Sequence, residues 1–192
     1  MEVKDALQKR RAYRALSPVE ISDETINELA SAARLTASCF NNQPWKFVFA
    51  RSKEALGKVH ACLSRNNDWV KNASLIIAAF AKKEDDCVIK EREYYLFDLG
   101  MAVSAIQLRA TELGLVAHPI AGFDPAAVKK ALNIPDEYTL LVIINVGKKS
   151  EDMSLLTEGQ KAGEKDRPPR LPLENIYSID TYSEKLGVKP VH

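Results

Sequence analysis

The stretch RLTASCFNNQPWKFVF, Arg34 to Phe49, passes from a helical period to a strand period within sixteen residues. Upstream, Ser22 to Arg34 places Ile26, Leu29, Ala30 and Ala33 on one side of a helix, with Ser22 or Asp23 available to cap it. Downstream, Trp45-Lys46-Phe47-Val48-Phe49 is rich in the aromatic and β-branched residues that suit a pleated, half-buried surface. Between them Ser38, Asn41, Asn42 and Gln43 concentrate hydroxyl and amide groups, and Pro44 keeps Gln43 out of a helical backbone. Such a loop is either plain turn chemistry or a grip for a planar, hydrogen-bonding ligand, and other stretches must decide between the two.

Working towards the N-terminus, Val3, Ala6 and Leu7 predict a short helix that runs into Lys9-Arg10-Arg11-Ala12-Tyr13-Arg14. Four cations in six residues repel one another unless they spread into water or converge on an anion, and continued helical turns would put Arg10 and Arg14 on one face. Working towards the C-terminus, Ser52 caps a short helix around Leu56 and Val59, and 64–69 is polar and turn-like. The apolar run ASLIIAAFA, Ala73 to Ala81, predicts a strand covered on both faces. Glu91 to Leu113 predicts the longest helix, closed by Gly114; Val116 to Phe123 is extended, Pro125 opens another helix, and Tyr138 to Gly147 is a second apolar strand. The alternation places helices around a central sheet. Residues 148–169 are charged and poor in apolar groups and are expected to form a surface loop, and 175–192 an arm whose Ile176, Tyr177, Ile179 and Tyr182 lack an obvious internal partner.

The 192 residues suit one domain, 1–192, and a net charge of +1 with 28% charged residues gives no global signal for nucleic acid or membrane. Any anion site is therefore local. Cys39, Cys62 and Cys87 are odd in number and have neither CxxC nor metal-ligand spacing, which fits a reducing cytoplasm rather than a disulfide framework and offers no metal site. A start without an apolar core segment leads to the same expectation of a cytoplasmic protein. There is no GxxxxGK[ST], GxGxxG or GxSxG, and Cys39 has no histidine nearby in sequence to argue a Cys–His pair. What remains is arginines, amides and backbone, the equipment of a protein that borrows its chemistry from a cofactor.

Read together, Arg10-Arg11-Ala12-Tyr13-Arg14, Ser38-Cys39-Phe40-Asn41-Asn42-Gln43-Pro44-Trp45, Pro119-Ile120-Ala121-Gly122-Phe123-Asp124 and Arg170-Leu171-Pro172-Leu173 resemble the FMN-dependent nitroreductase family in order and spacing over essentially the whole chain. The resemblance implies an α+β fold with a central, mostly antiparallel sheet flanked by helices. It also implies a homodimer with C-terminal arms exchanged and two FMN sites at the interface. By the same resemblance Arg10, Arg14 and Arg170 hold the flavin phosphate, helped by Arg11 and Ala12. Ser38, Cys39 and Asn41 reach the flavin from the partner subunit, Asn66 bonds the ring, and Pro119, Ile120, Ala121 and Gly122 lie along it. Ala12 and Cys39 stand where many relatives have Ser, and Pro168 where Lys is frequent, with Arg167 as a substitute. The implied activity takes hydride from NADH or NADPH and reduces nitroaromatics, quinones or a related small acceptor by a ping-pong route, with no catalytic side chain. The alternative is an FMN-binding regulatory or storage module without rapid turnover.

Overall fold

The computed structural model describes residues 1–187. In chain order the elements are α1 (Val3–Lys9), β1 (Leu16–Ser17), α2 (Asp23–Arg34), β2 (Lys46–Ala50), α3 (Lys53–His60), β3 (Leu75–Ala81), β4 (Val88–Ile89) and β5 (Arg92–Glu93). They continue with α4 (Tyr95–Glu112), β6 (Val116–Ile120), α5 (Pro125–Ala131), β7 (Thr139–Lys149) and α6 (Glu158–Lys165). Local chemistry sets most boundaries. Ser22, Ser52 and Asp124 accept the first-turn N–H groups of α2, α3 and α5, Pro125 occupies the start of α5, and Gly114 takes φ 74° just beyond α4.

The main sheet runs β1-β7-β3-β2 with β6 also on β7, and every pairing is antiparallel. β3 is buried along its whole length, as its continuous apolar run predicts. Ile76, Ala78 and Phe80 point into one core with Val59, Trp69, Val128 and Ile143. Leu75, Ile77, Ala79 and Ala81 point into the other with Leu29, Leu99, Ile106 and Ile144. Helices therefore cover both faces of an antiparallel sheet, an α+β arrangement. Each fully buried Ile or Leu contributes about 1.5–3 kcal/mol, so β3 and α4 are the elements least tolerant of polar substitution. A register shift opposite Ala79/Phe80 makes Leu141 the extra residue of β7, which explains why this Leu alone in its run is 40% exposed.

Three expectations are corrected. The long helix begins at Tyr95, because Arg92–Glu93 pair with Val88–Ile89 across a turn in which Lys90 has φ 59°; the charged residues 91–93 had no apolar face to bury as helix. The stretch 148–169 is not simply loop: β7 extends to Lys149, and Thr157 and Gln160 form a reciprocal capping box that starts α6. Helical turns do not continue through Arg10–Arg14, since α1 stops at Lys9 and Arg10 leaves it with ψ 119°. Of the expected 175–192 arm, residues 188–192 lie outside the described residues; Ile176, Tyr177, Ile179 and Tyr182 are all exposed. Among the described residues no helix is long and apolar enough to cross a membrane.

Candidate anion and cofactor site

Arg10, Arg11, Ala12, Arg14, Gly163, Arg167, Pro168 and Arg170 line a cavity of about 220 Å³ where the chain leaving α1 meets the chain leaving α6. Two of the arginines hold this junction together. Arg11, just after α1, donates to the carbonyls of Gly163 and Glu164 at 3.1 and 3.3 Å, at the C-terminal end of α6. Arg167, just after α6, donates to the carbonyls of Gln8 and Arg10 at the end of α1. Each helix thus has its orphan carbonyls, and the negative end of its dipole, satisfied by a cation from beyond the other helix.

A third tie runs through Glu164, which is 5% exposed and accepts from the backbone N–H of Arg14 at 2.8 Å and of Ala15 at 3.2 Å. It fixes the extended path that carries Arg14 to the cavity wall. With Arg11 and Arg167 committed to carbonyls, the guanidinium groups of Arg10, Arg14 and Arg170 have no acidic partner among the described residues. Burial, then the charges of Arg167 and Arg170, push the Arg10 pKa down. An assembly that raises the energy of its own cations is built to receive an anion, and planar guanidinium forks suit phosphate or carboxylate oxygens.

Beneath the arginines lies His118 of β6, stacked on Trp69 with ring centroids 4.8 Å apart and with Nδ1 3.0 Å from the Tyr13 carbonyl oxygen. The carbonyl can only accept, so Nδ1 carries the proton. Burial, reinforced by the charges of Arg14 and Arg10, lowers the His118 pKa to about 4. A neutral, buried imidazole supports the backbone at Tyr13 and does not titrate near neutrality.

β6 leads from His118 to Pro119–Gly122, the next predicted segment. Ala121 is exposed, and the Gly122 carbonyl accepts from Ser64 N and from Asn67 Nδ2, both at 3.0 Å. Asn66 has φ 68° and its carbonyl accepts from Gln160 Nε2 of α6 at 2.8 Å. Thus 10–14, 66–67, 119–122 and 160–170 are joined at one end of the sheet. A Cβ on Gly122 would lie 2.3 Å from Asn67 Nδ2, so any other residue here must push the Asn67 amide aside. We expect Gly122→Ala to displace the Asn67 amide and cost about 1–2 kcal/mol, comparable to Asn67→Ala, with the double variant no worse than either single. Denaturant titration of all three checks this; additive losses would show that the two changes act on different contacts.

Ser38, Cys39 and Asn41 are elsewhere and do not line the arginine cavity. Their loop is tightly organised: Phe40, Asn41 and Gln43 all have positive φ, at 47°, 60° and 50°, and Ser38 Oγ accepts from Gln43 N at 2.9 Å. The Cys39 N–H donates at 2.7 Å to Asp98, which is 1% exposed and whose carboxyl is held above the usual range by burial and by nearby Asp86. The expectation of unpaired cysteines is overturned here. Cys39 and Cys87 form a disulfide, with Asp86 beside them, because the loop folds back onto the strand-leading segment before β4 across 48 residues of sequence. Spacing along the chain carries no trace of that encounter. Only Cys62 is a free thiol among the described residues.

Sequence reasoning missed Glu164, Asn67, Asp98 and His118 as site supports. Glu164 sits in a charged helix that looks solvated, and only the Thr157–Gln160 capping box signals that the helix exists.

The sequence matches the nitroreductase family over residues 7–65 and 58–148. The chain is 24% identical over 185 residues to YdgI of Bacillus subtilis, named an NAD(P)H nitroreductase, with 77% of this chain and 88% of that protein covered. It superposes with a TM-score of 0.80 on an oxidoreductase whose crystal structure contains FMN, at 25% identity and covering 95% and 94% of the two chains. A nitroreductase of Exiguobacterium sibiricum in complex with FMN gives a TM-score of 0.78 at 20% identity, covering 93% and 97%. Family match, antiparallel sheet and helix order agree: the chain belongs to the nitroreductase family.

Proposed function

We propose that the protein is an FMN-dependent oxidoreductase that accepts reducing equivalents from NADH or NADPH and reduces nitroaromatics, quinones or a related small acceptor in a ping-pong cycle. The observation that carries this reading is the cavity where Arg10, Arg14 and Arg170 converge without an acidic partner among the described residues, because a phosphate monoester supplies the missing charge. Arg10, Arg14 and Arg170 would hold that phosphate, while Arg11, Arg167 and Glu164 keep its walls in place. Asn66 and Pro119, Ile120, Ala121 and Gly122 would border the ring, with backbone N–H groups near Ala121 and Gly122 favouring negative charge. FMN, when bound, supplies the two-electron redox chemistry.

No titrating side chain is needed for that role. His118 is neutral and committed to Tyr13, and Glu164 is committed to Arg14 and Ala15. A homodimer would bring Ser38, Cys39 and Asn41 to the partner's flavin. The exposed Phe40, Leu173, Ile176, Tyr177, Ile179 and Tyr182 support such an interface, since that much uncovered apolar surface is unusual for a monomer.

The test is colour, then bleaching, then phosphate dependence. Purified protein should be yellow or reconstitute with FMN, and NADH or NADPH should bleach it anaerobically. A charge-assisted bond is worth roughly 1.5–3 kcal/mol, so Arg14→Ala or Arg170→Ala should weaken FMN about ten- to hundredfold and leave riboflavin binding little changed. A protein that binds no flavin sinks the proposal, and a flavoprotein that reduced nicotinamides never bleach is a binding module instead.

A further inference from the structure

We propose that the Cys39–Cys87 disulfide is a reversible thiol-exchange site whose state sets the order of the 38–43 loop and, through it, the retention of flavin. The last step rests on the FMN reading above; the first two do not.

Both cysteines are only half-buried in the single protomer, so there an external thiolate reaches the bond without unfolding the chain. The two sulfurs are not equivalent. Asn42 Nδ2 donates to Cys87 Sγ at 3.4 Å and to Asp86 Oδ1 at 3.2 Å, whereas Cys39 is held through its backbone N–H on Asp98. A hydrogen bond to sulfur stabilises a departing thiolate, so a thiol or dithiol reductant attacks Cys39 Sγ and Cys87 leaves. The exchange balances. One reductant thiolate forms a mixed disulfide with Cys39 as the Cys39–Cys87 bond breaks; a second reductant thiolate then releases Cys39. The protein gains two electrons and two protons as two thiols, and the reductant becomes a disulfide. A two-electron oxidant such as a disulfide reverses it.

The loop is the part that responds. Phe40, Asn41 and Gln43 occupy left-handed backbone, which Asn tolerates but which Phe and Gln enter rarely and keep when their surroundings hold them there. Phe40 is 86% exposed, so its own side chain supplies no anchor. The covalent tie to Cys87 and the Asn42 amide that straddles Cys87 and Asp86 are the loop's connections to the segment before β4. Opening the bond removes the first and loosens the second, leaving Asp98 and the internal Ser38–Gln43 bond.

The experiment compares oxidised protein, protein reduced by a phosphine under native conditions, and Cys87→Ser. Thiol counting after denaturation should give one thiol, Cys62, in the oxidised form and three after native reduction. Amide exchange at residues 40–43 should rise at least tenfold in reduced protein and in Cys87→Ser, with exchange in β3 unchanged, and FMN should bind at least fivefold more weakly. Three thiols in protein treated with oxidised glutathione, a bond that opens only on unfolding, or equal loop exchange in all three forms would overturn the proposal. So would loop release with unchanged FMN affinity. If no form binds FMN, the flavin reading has failed on its own, and thiol counts and loop exchange still decide the exchange site.

Discussion

Glu164→Ala is expected to destabilise the protein by about 4 kcal/mol, because two backbone donors, one buried and one part-buried, lose their acceptor at about 1–3 kcal/mol each. The donors are Arg14 N and Ala15 N, and Ala15 is 2% exposed, so water does not replace the carboxylate there. At about 2–4 °C of Tm per kcal/mol for a domain of this size, the transition should fall by about 8–16 °C. Glu164→Gln keeps one acceptor oxygen and should recover roughly half of the loss. Thermal and denaturant unfolding of the two variants measure this. Losses under about 1 kcal/mol in Glu164→Ala would mean that Arg14 and Ala15 find other partners, and the cavity wall would have to be redrawn.

Acidification should have an effect of similar size, centred on His118. Its folded pKa of about 4 lies below the 6.5 of the free side chain, so between those values the unfolded chain binds a proton that the native chain refuses. The contribution is fully present above pH 6.5 and is lost as pH falls towards 4, amounting to about 3 kcal/mol at about 1.4 kcal/mol per pH unit. His60, lowered chiefly by burial, adds in the same direction. Chemical denaturation at pH 7, 6, 5 and 4.5 gives the slope, and His118→Phe should reduce it by close to one proton. An unchanged slope in that variant would show that the imidazole is already protonated in the native state.

How far the sequence could be read depended on whether the signal was local. β3 and the α4 core announced themselves through uninterrupted apolar runs and 3–4 spacing, and the caps at Ser22, Ser52, Asp124 and Gly114 follow from side chains adjacent to the backbone they serve. The arginines were legible because four cations in six residues need an explanation. Their division of labour was not. Arg10 and Arg11 are neighbours with the same chemistry and both line the cavity, yet only Arg11 also ties down α6, a distinction made by residues 163–165. Cys39–Cys87 was hidden for the same reason, since its two halves carry no mutual signal until the 38–43 loop folds back. β5 falls inside the predicted helix because its charged residues suit a helix flank as well as a turn.

The reciprocal arginine ties span nearly the whole chain: Arg11 reaches Gly163 across 152 positions and Arg167 reaches Gln8 across 159. Occupancy of the cavity is therefore linked thermodynamically to the closure of both ends at once. Fraying of α1 releases the walls built after α6, and fraying of α6 releases the path of Arg14, so a ligand selective for the closed cavity stabilises both helices by RT ln(1 + [L]/Kd). Ligand-dependent protection should accordingly appear in amides near residues 10–15 and 160–167 together, at two stretches far apart in sequence that open and close as one cooperative unit.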